Sequence, residues 1–129
     1  MLKLNVNNET SKLLAVVLGT ATSNGPSPTL EECYDPKSRE NILANTYPIE
    51  KDMIKELKEL EDVLVKHNVE VYRPEIINEY NQIFSRDIGF VIDEFFIVAN
   101  ILPERSKEIS AIGNIINLIS EKRIINLPR

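Results

Sequence analysis

Apolar and polar positions alternate along this chain in short blocks of different rhythm, and the rhythm predicts its elements. Lys12 to Gly19 carries an unbroken apolar run, Leu13-Leu14-Ala15-Val16-Val17-Leu18, which predicts a buried strand stopped by Gly19. Thr20 to Pro28 gathers Thr, Ser, Asn, Gly and Pro and predicts a loop. Asp35-Pro36 predicts a turn, with a short helix from Lys37. Pro48 suits a first helical position, where its missing N–H costs nothing. After it, Met53, Leu57, Leu60 and Leu64 recur at helical spacing among Lys, Asp and Glu. This predicts an amphipathic surface helix that ends near His67-Asn68. Val69-Glu70-Val71-Tyr72 alternates and predicts a short strand closed by Arg73-Pro74.

The second half repeats the theme with less polar punctuation. Ile83 to Ile92 and Phe95 to Leu102 predict two strands joined at Asp93-Glu94, a tight hairpin without the usual Gly. Pro103 opens a second amphipathic helix with Ile109, Ile112, Ile116 and Ile119 on one stripe. Gly113 inside it suggests close packing. Arg123-Ile124-Ile125-Asn126-Leu127 predicts a last strand. The order β, loop, α, β, ββ, α, β implies an α/β (α+β) fold, with a mixed sheet and two main helices in a single domain over 1–129. No repeat or low-complexity tract interrupts it.

Composition narrows the function classes. At 129 residues, 43% apolar and 27% charged, the chain has a globular rather than a disordered composition. A net charge of -5 argues against nucleic acid as the main partner, since phosphate binding needs a basic face. No apolar run is long enough to span a bilayer, and the segment Met1 to Val6 lacks the pattern of a signal peptide. Cys33 is the only cysteine, so an internal disulfide is excluded and a cytoplasmic setting is expected. His67 is the only histidine, and with Cys33 far from it in sequence no metal site is expected. At a helix C-terminus, His67 reads as a surface residue favoured by the helix dipole. The loop Gly19 to Gly25 lacks both nucleotide-binding glycine patterns, and no cofactor is expected.

One local feature asks for chemistry. Arg86-Asp87 stands directly before the apolar run Ile88-Gly89-Phe90-Val91-Ile92. An ionised carboxylate at the mouth of a buried strand is costly unless something pairs with it. Either Arg86 satisfies Asp87, or a cationic ligand does.

The segment Asn81-Gln82-Ile83-Phe84-Ser85-Arg86-Asp87 resembles the substrate-binding motif of the amidinotransferase and arginine deiminase superfamily. These are guanidine-modifying enzymes of pentein fold, a five-bladed β/α propeller. The resemblance continues through Gly89 to Asp93, Phe96 to Asn100 and Pro103-Glu104-Arg105-Ser106-Lys107-Glu108-Ile109. It is good from about Tyr72 to Ile109, and weaker in Leu18 to Ala21 and Asp35 to Arg39. It implies about one to one and a half ββαβ modules of a partial propeller.

The resemblance also assigns roles. Asp87 would grip the guanidinium of the substrate, since a carboxylate accepts two parallel N–H bonds from that planar fork. Arg86 would be structural, pairing with carboxylates nearby. Arg105 would meet a substrate carboxylate, or else sit exposed or paired with Glu108 one helical turn on. Asn81 would shape the pocket, or else serve as a turn residue. The implied ligand is a small guanidino compound such as arginine.

The family's nucleophilic cysteine lies near the C-terminus of a chain more than twice as long, and its acid–base histidine also lies beyond the position of residue 129. Neither Cys33 nor His67 matches them, so no catalytic residue is expected here. Three explanations stay open. The chain is an N-terminal portion of a longer enzyme, or a separate or cleaved chain completes it, or it forms a homo-oligomer. The simplest is the first, with the strand at Ile124 to Leu127 then left without neighbours.

Overall fold

The computed structural model describes residues 1–128; Arg129 lies outside them. The first half is a βαβ unit. Strand β1 (Ala15–Val17) pairs in parallel with β2 (Glu70–Tyr72), in the register Ala15 with Glu70 and Val17 with Tyr72. Between them run a short helix α1 (Pro36–Leu43) and the long helix α2 (Glu50–Lys66). Parallel neighbours need such a crossover, because a hairpin cannot join them.

Local chemistry sets these boundaries. Asp35 caps α1, its carboxylate accepting the Ser38 N–H at 2.8 Å, with Pro36 at the first position. Helix α2 begins two residues after Pro48 and ends at Lys66, where Asn68 takes a left-handed φ of 58°. Asn tolerates that conformation and closes the helix as the sequence suggests. The expected stripe on α2 is only partly covered: Met53 is buried, Leu57 and Leu64 are half-buried, and Leu60 remains 46% exposed.

The second half is a ββαβ unit. Strand β3 (Gly89–Ile92) pairs antiparallel with β4 (Phe95–Val98), through a turn in which Asp93 has φ 50°. Strand β5 (Ile124–Asn126) pairs in parallel with the other edge of β4. The sheet is therefore mixed, in the order β3-β4-β5. This corrects the expectation that Ile124 to Leu127 lacks neighbours: Ile124, Ile125 and Asn126 lie opposite Phe96, Ile97 and Val98.

The helix expected from Pro103 is not continuous. It forms a 3-10 turn at Pro103–Arg105, then α3 (Lys107–Ala111), then α4 (Gly113–Ile116). The break falls at Ile112, whose φ of -100° and ψ of 12° leave the helical region. Ile112 is only 2% exposed and belongs to the core. Burying it outweighs helical continuity in a segment whose β-branched residues and glycine favour the helix weakly. Gly113 does not mark close packing, since a Cβ there would meet open space.

The core sits between the β3-β4-β5 sheet and these short helices. Ile88, Phe96, Val98, Ile112, Ile115 and Ile119 form it, with Leu2, Leu4, Val17 and Tyr72 packed against it. Gly89 is needed there, because a Cβ would overlap the Phe96 ring. Cross-strand register places Val91, Phe96 and Ile124 on this inner face. It places Phe90, Ile92, Phe95, Ile97 and Ile125 on the other face, where Phe90 and Ile92 are 45% and 52% exposed.

The two halves meet at Gly19 and Gln82. The Thr20 N–H donates to the Gln82 carbonyl at 3.0 Å. A Cβ on Gly19 would overlap the carbonyl oxygens of Gln82 and Ile83, so only glycine permits this approach. The Gln82 side chain, 2% exposed, accepts from the Ile77 N–H and donates to the Glu75 carbonyl, both at 2.8 Å. It thereby secures the loop between β2 and β3.

Candidate functional site

Asp87 is held on a rigid step. Ser85–Asp87 forms a 3-10 turn, with the Asp87 N–H donating to the Phe84 carbonyl at 3.1 Å. The Ser85 hydroxyl donates to the carbonyl of Val17 at 2.8 Å, which ties the turn to β1. On the other side Ile88 is buried in the core, and its carbonyl accepts the Ala99 N–H at 3.1 Å. Arg86 and Asp87 are fixed between these anchors with both side chains outside the core.

The partner of Asp87 is Arg105. Arg105 Nη1 donates to Asp87 Oδ2 at 2.6 Å. Its Nε and Nη2 donate to the two carboxylate oxygens of Glu108, at 2.6 and 2.9 Å. Nη2 also reaches the Phe84 carbonyl at 3.1 Å. The guanidinium is thus clamped by two carboxylates and a carbonyl. The hydrogen bonds that Arg105 donates to Glu108, partly offset by burial, and then the one it donates to Asp87 raise the Arg105 pKa further above its already high value. The cation is permanent at any working pH.

The two carboxylates differ in setting. The Glu108 side chain is 3% exposed, whereas that of Asp87 is 44% exposed. Arg105 lines a surface cavity of about 370 Å³ with Asn100, Ile101, Leu102 and Pro103. Two tyrosines stand close by. The Tyr80 hydroxyl donates to the carbonyl of Glu104, and Lys107 lies 5.8 Å above its ring. Burial pushes the Tyr34 hydroxyl up, and the nearby positive charge of Arg105 pulls it partly back.

Sequence reasoning singled out Asp87, Arg105, Asn81 and Arg86. The fold brings Asp87 and Arg105 into direct contact across 18 residues of chain. Arg86 is exposed and makes no ion pair among the described residues, so neither its pairing with Asp87 nor that with a nearby carboxylate is formed. Asn81 uses its carbonyl oxygen to accept the Ile83 N–H at 3.1 Å, a local turn bond. It also lines a second cavity of about 340 Å³ with Tyr34, Asp35, Tyr47 and Glu79. The Glu50 carboxylate accepts the Ser23 and Gly25 N–H groups at 3.3 and 2.8 Å, on either side of Asn24, which lines that cavity.

Glu108 is the residue whose weight was least legible. The Arg-x-x-Glu spacing shows that it can reach Arg105, but nothing in that spacing shows its burial. Cys33 is buried beside the second cavity, and His67 is exposed at the end of α2. Among the described residues, no group of three or more His, Cys, Asp or Glu side chains could hold a metal ion.

Solved structures place this arrangement in a known fold. The chain is similar to the inosamine-phosphate amidinotransferase StrB1 from Streptomyces griseus, with TM-score 0.69 and 21% identity, over 97% of this chain and 43% of that one. It is similar to SxtG, an amidinotransferase from Microseira wollei in the saxitoxin biosynthetic pathway, with TM-score 0.66 and 20% identity, over 97% and 42%. The chain therefore spans less than half the length of either. No protein-family model matches it, and no curated protein does. At this identity the likeness establishes the fold alone: the chain has an amidinotransferase-like fold, and its described residues form two small sheets and no closed ring.

Proposed function

We propose that this chain is the substrate-anchoring N-terminal portion of an amidinotransferase-like enzyme, with Asp87 as the guanidinium anchor. The observation that carries the reading is the contact between Asp87 and Arg105. A half-exposed carboxylate on a 3-10 turn already holds the Arg105 guanidinium at 2.6 Å, and Arg105 itself lines an open surface cavity. What it does for Arg105 it can do for the guanidino group of arginine or a related compound.

In the complete enzyme the amidino group would pass through a covalent adduct on a cysteine thiolate, which attacks the guanidinium carbon and displaces the donor's amine, and an acceptor amine would then displace the thiolate. Cys33 is not that nucleophile in this reading, since it is buried in a loop outside the Asp87 and Arg105 cluster. Transfer is preferred to hydrolysis because both solved neighbours carry amidinotransferase in their names. A lone thiol and the absence of any helix long and apolar enough to cross a membrane among the described residues fit a cytoplasmic setting.

A partner belongs to this proposal. Phe90, Ile92 and Ile125 leave the outer face of the β3-β4-β5 sheet apolar and open. A contiguous apolar layer of this kind marks an interface. The proposed cover is the remaining polypeptide of the amidinotransferase-like fold, covalently continuous or as a separate chain, and self-association is the alternative outcome.

Calorimetry with L-arginine on the wild-type chain and on Asp87→Asn tests the anchor. The substitution keeps the size of the side chain and removes its charge, so binding should fall at least about tenfold. Equal affinity in the two proteins, with unchanged melting, would refute it.

A further inference from the structure

We infer that Arg105 is a tethered competitor for Asp87, and that Glu108 is the positioning residue that holds Arg105 aside when a ligand guanidinium takes its place. This rests on the reading of Asp87 as an anchor.

The contacts themselves show which bond yields. The Arg105 guanidinium has five donors, and Glu108 takes two of them in the parallel geometry that suits a carboxylate best. Asp87 takes one, through a single oxygen. Breaking the Glu108 pair would strand a carboxylate that is 3% exposed, at a high desolvation cost. Breaking the Asp87 contact leaves a carboxylate that is 44% exposed and can be solvated. The hinge of the cluster is therefore the bond to Asp87, while Glu108 and the Phe84 carbonyl keep Arg105 in place.

The charge count points the same way. Two carboxylates face one guanidinium, so the cluster carries one surplus negative charge. A second guanidinium would bring it to neutrality, with one cation on each carboxylate. Asp87 would then use both oxygens on the ligand, where it now uses one on Arg105. Arg105 Nη1 would be released beside the bound ligand, free to meet an anionic group on it. In this scheme occupancy by Arg105 lowers the apparent affinity by the fraction of Asp87 that it holds.

The scheme predicts opposite effects at two neighbouring residues, which a purely structural ion pair would not produce. The probe is guanidinium chloride, which lacks any group for Arg105 to recognise, measured by calorimetry on the 129-residue chain. The double variant Arg105→Met with Glu108→Met removes competitor and counter-ion together, so no charge is left buried alone. It should bind the probe about tenfold more tightly than wild type. Glu108→Gln leaves Arg105 with Asp87 as its only full charge partner, and should bind about tenfold more weakly. Arg105→Lys keeps the charge without the fork, folds with the least disturbance and should show a smaller gain.

Melting curves on each variant establish folding. If Asp87→Asn abolishes binding while the other variants all weaken it or leave it unchanged, the exchange is overturned and the anchor stands. If Asp87→Asn itself binds as wild type does, the anchor reading falls and the exchange falls with it.

Discussion

The two halves of this molecule use apolar residues in contrasting ways. In the ββαβ half, the β3-β4-β5 sheet and the short helices enclose Ile88, Phe96, Val98, Ile112, Ile115 and Ile119 in one cluster. In the βαβ half, a two-stranded parallel pair supports a 17-residue helix that buries only Met53. Leu60, Val63 and Val65 on that helix are each about half exposed. Three paired strands offer a face wide enough to be covered from edge to edge, and two do not. The lesson is that the candidate site belongs to the better-built half. Asp87, Arg105 and Glu108 flank or enter the β3-β4-β5 unit, and Val17 of β1 contributes only a carbonyl that holds Ser85.

Substitutions should reproduce this contrast. The largest effect is expected for Ile112→Ala, which empties a fully buried site and should cost about 2–5 kcal/mol in denaturant unfolding. Leu60→Ala on α2 removes a side chain that is already half in water and should stay within about 0.5 kcal/mol. Comparable losses at the two positions would mean that α2 is covered in solution.

Gly19→Ala attacks the seam between the halves. Its Cβ would strike backbone oxygens of Gln82 and Ile83, which have no free rotamer to move. A loss of about 1–3 kcal/mol is expected, with earlier proton exchange at Thr20 than at Phe96. Uniform exchange across both halves would show that they open as one unit.

A smaller effect than at Ile112 or Gly19 is expected at Asp35. Hydrogen bonds from the Ser38 hydroxyl and then its N–H hold the Asp35 carboxyl below its ordinary value of 3.8. The folded value lies below the unfolded one, so its stabilisation is present above pH 3.8 and is lost as pH falls through the lowered value. Asp35→Ala should cost about 0.5–2 kcal/mol at neutral pH through loss of the helix cap. The gap to wild type should close in acid below the usual carboxylate range, and a gap that persists there would rule out the cap charge as its source.

Much of the local structure was legible from residue patterns. Helix α2 followed from Met53, Leu57, Leu60 and Leu64, the Asp35-Pro36 turn announced α1, and the β3-β4 hairpin appeared where two apolar runs met at Asp93-Glu94. These signals are local, since they depend on residues within a few positions of one another. The break at Ile112 was not legible, because what overrides helical spacing there is burial against distant strands. The pairing of β5 with β4 was hidden for a related reason: a parallel neighbour is chosen across a whole crossover.

The site divides along the same line. The sequence by itself determined that Asp87 stands at the mouth of an apolar strand and must find a cation, and that Glu108 lies within reach of Arg105. Only the tertiary structure decided which cation Asp87 finds. It is Arg105, from a turn 18 residues away, and not its neighbour Arg86. Folding also decided that Glu108 is buried while Asp87 stays half in water. Charge and spacing are written along the chain, but solvation is a property of the packed molecule. It is solvation that makes one of these carboxylates a buried counter-ion and leaves the other in contact with water.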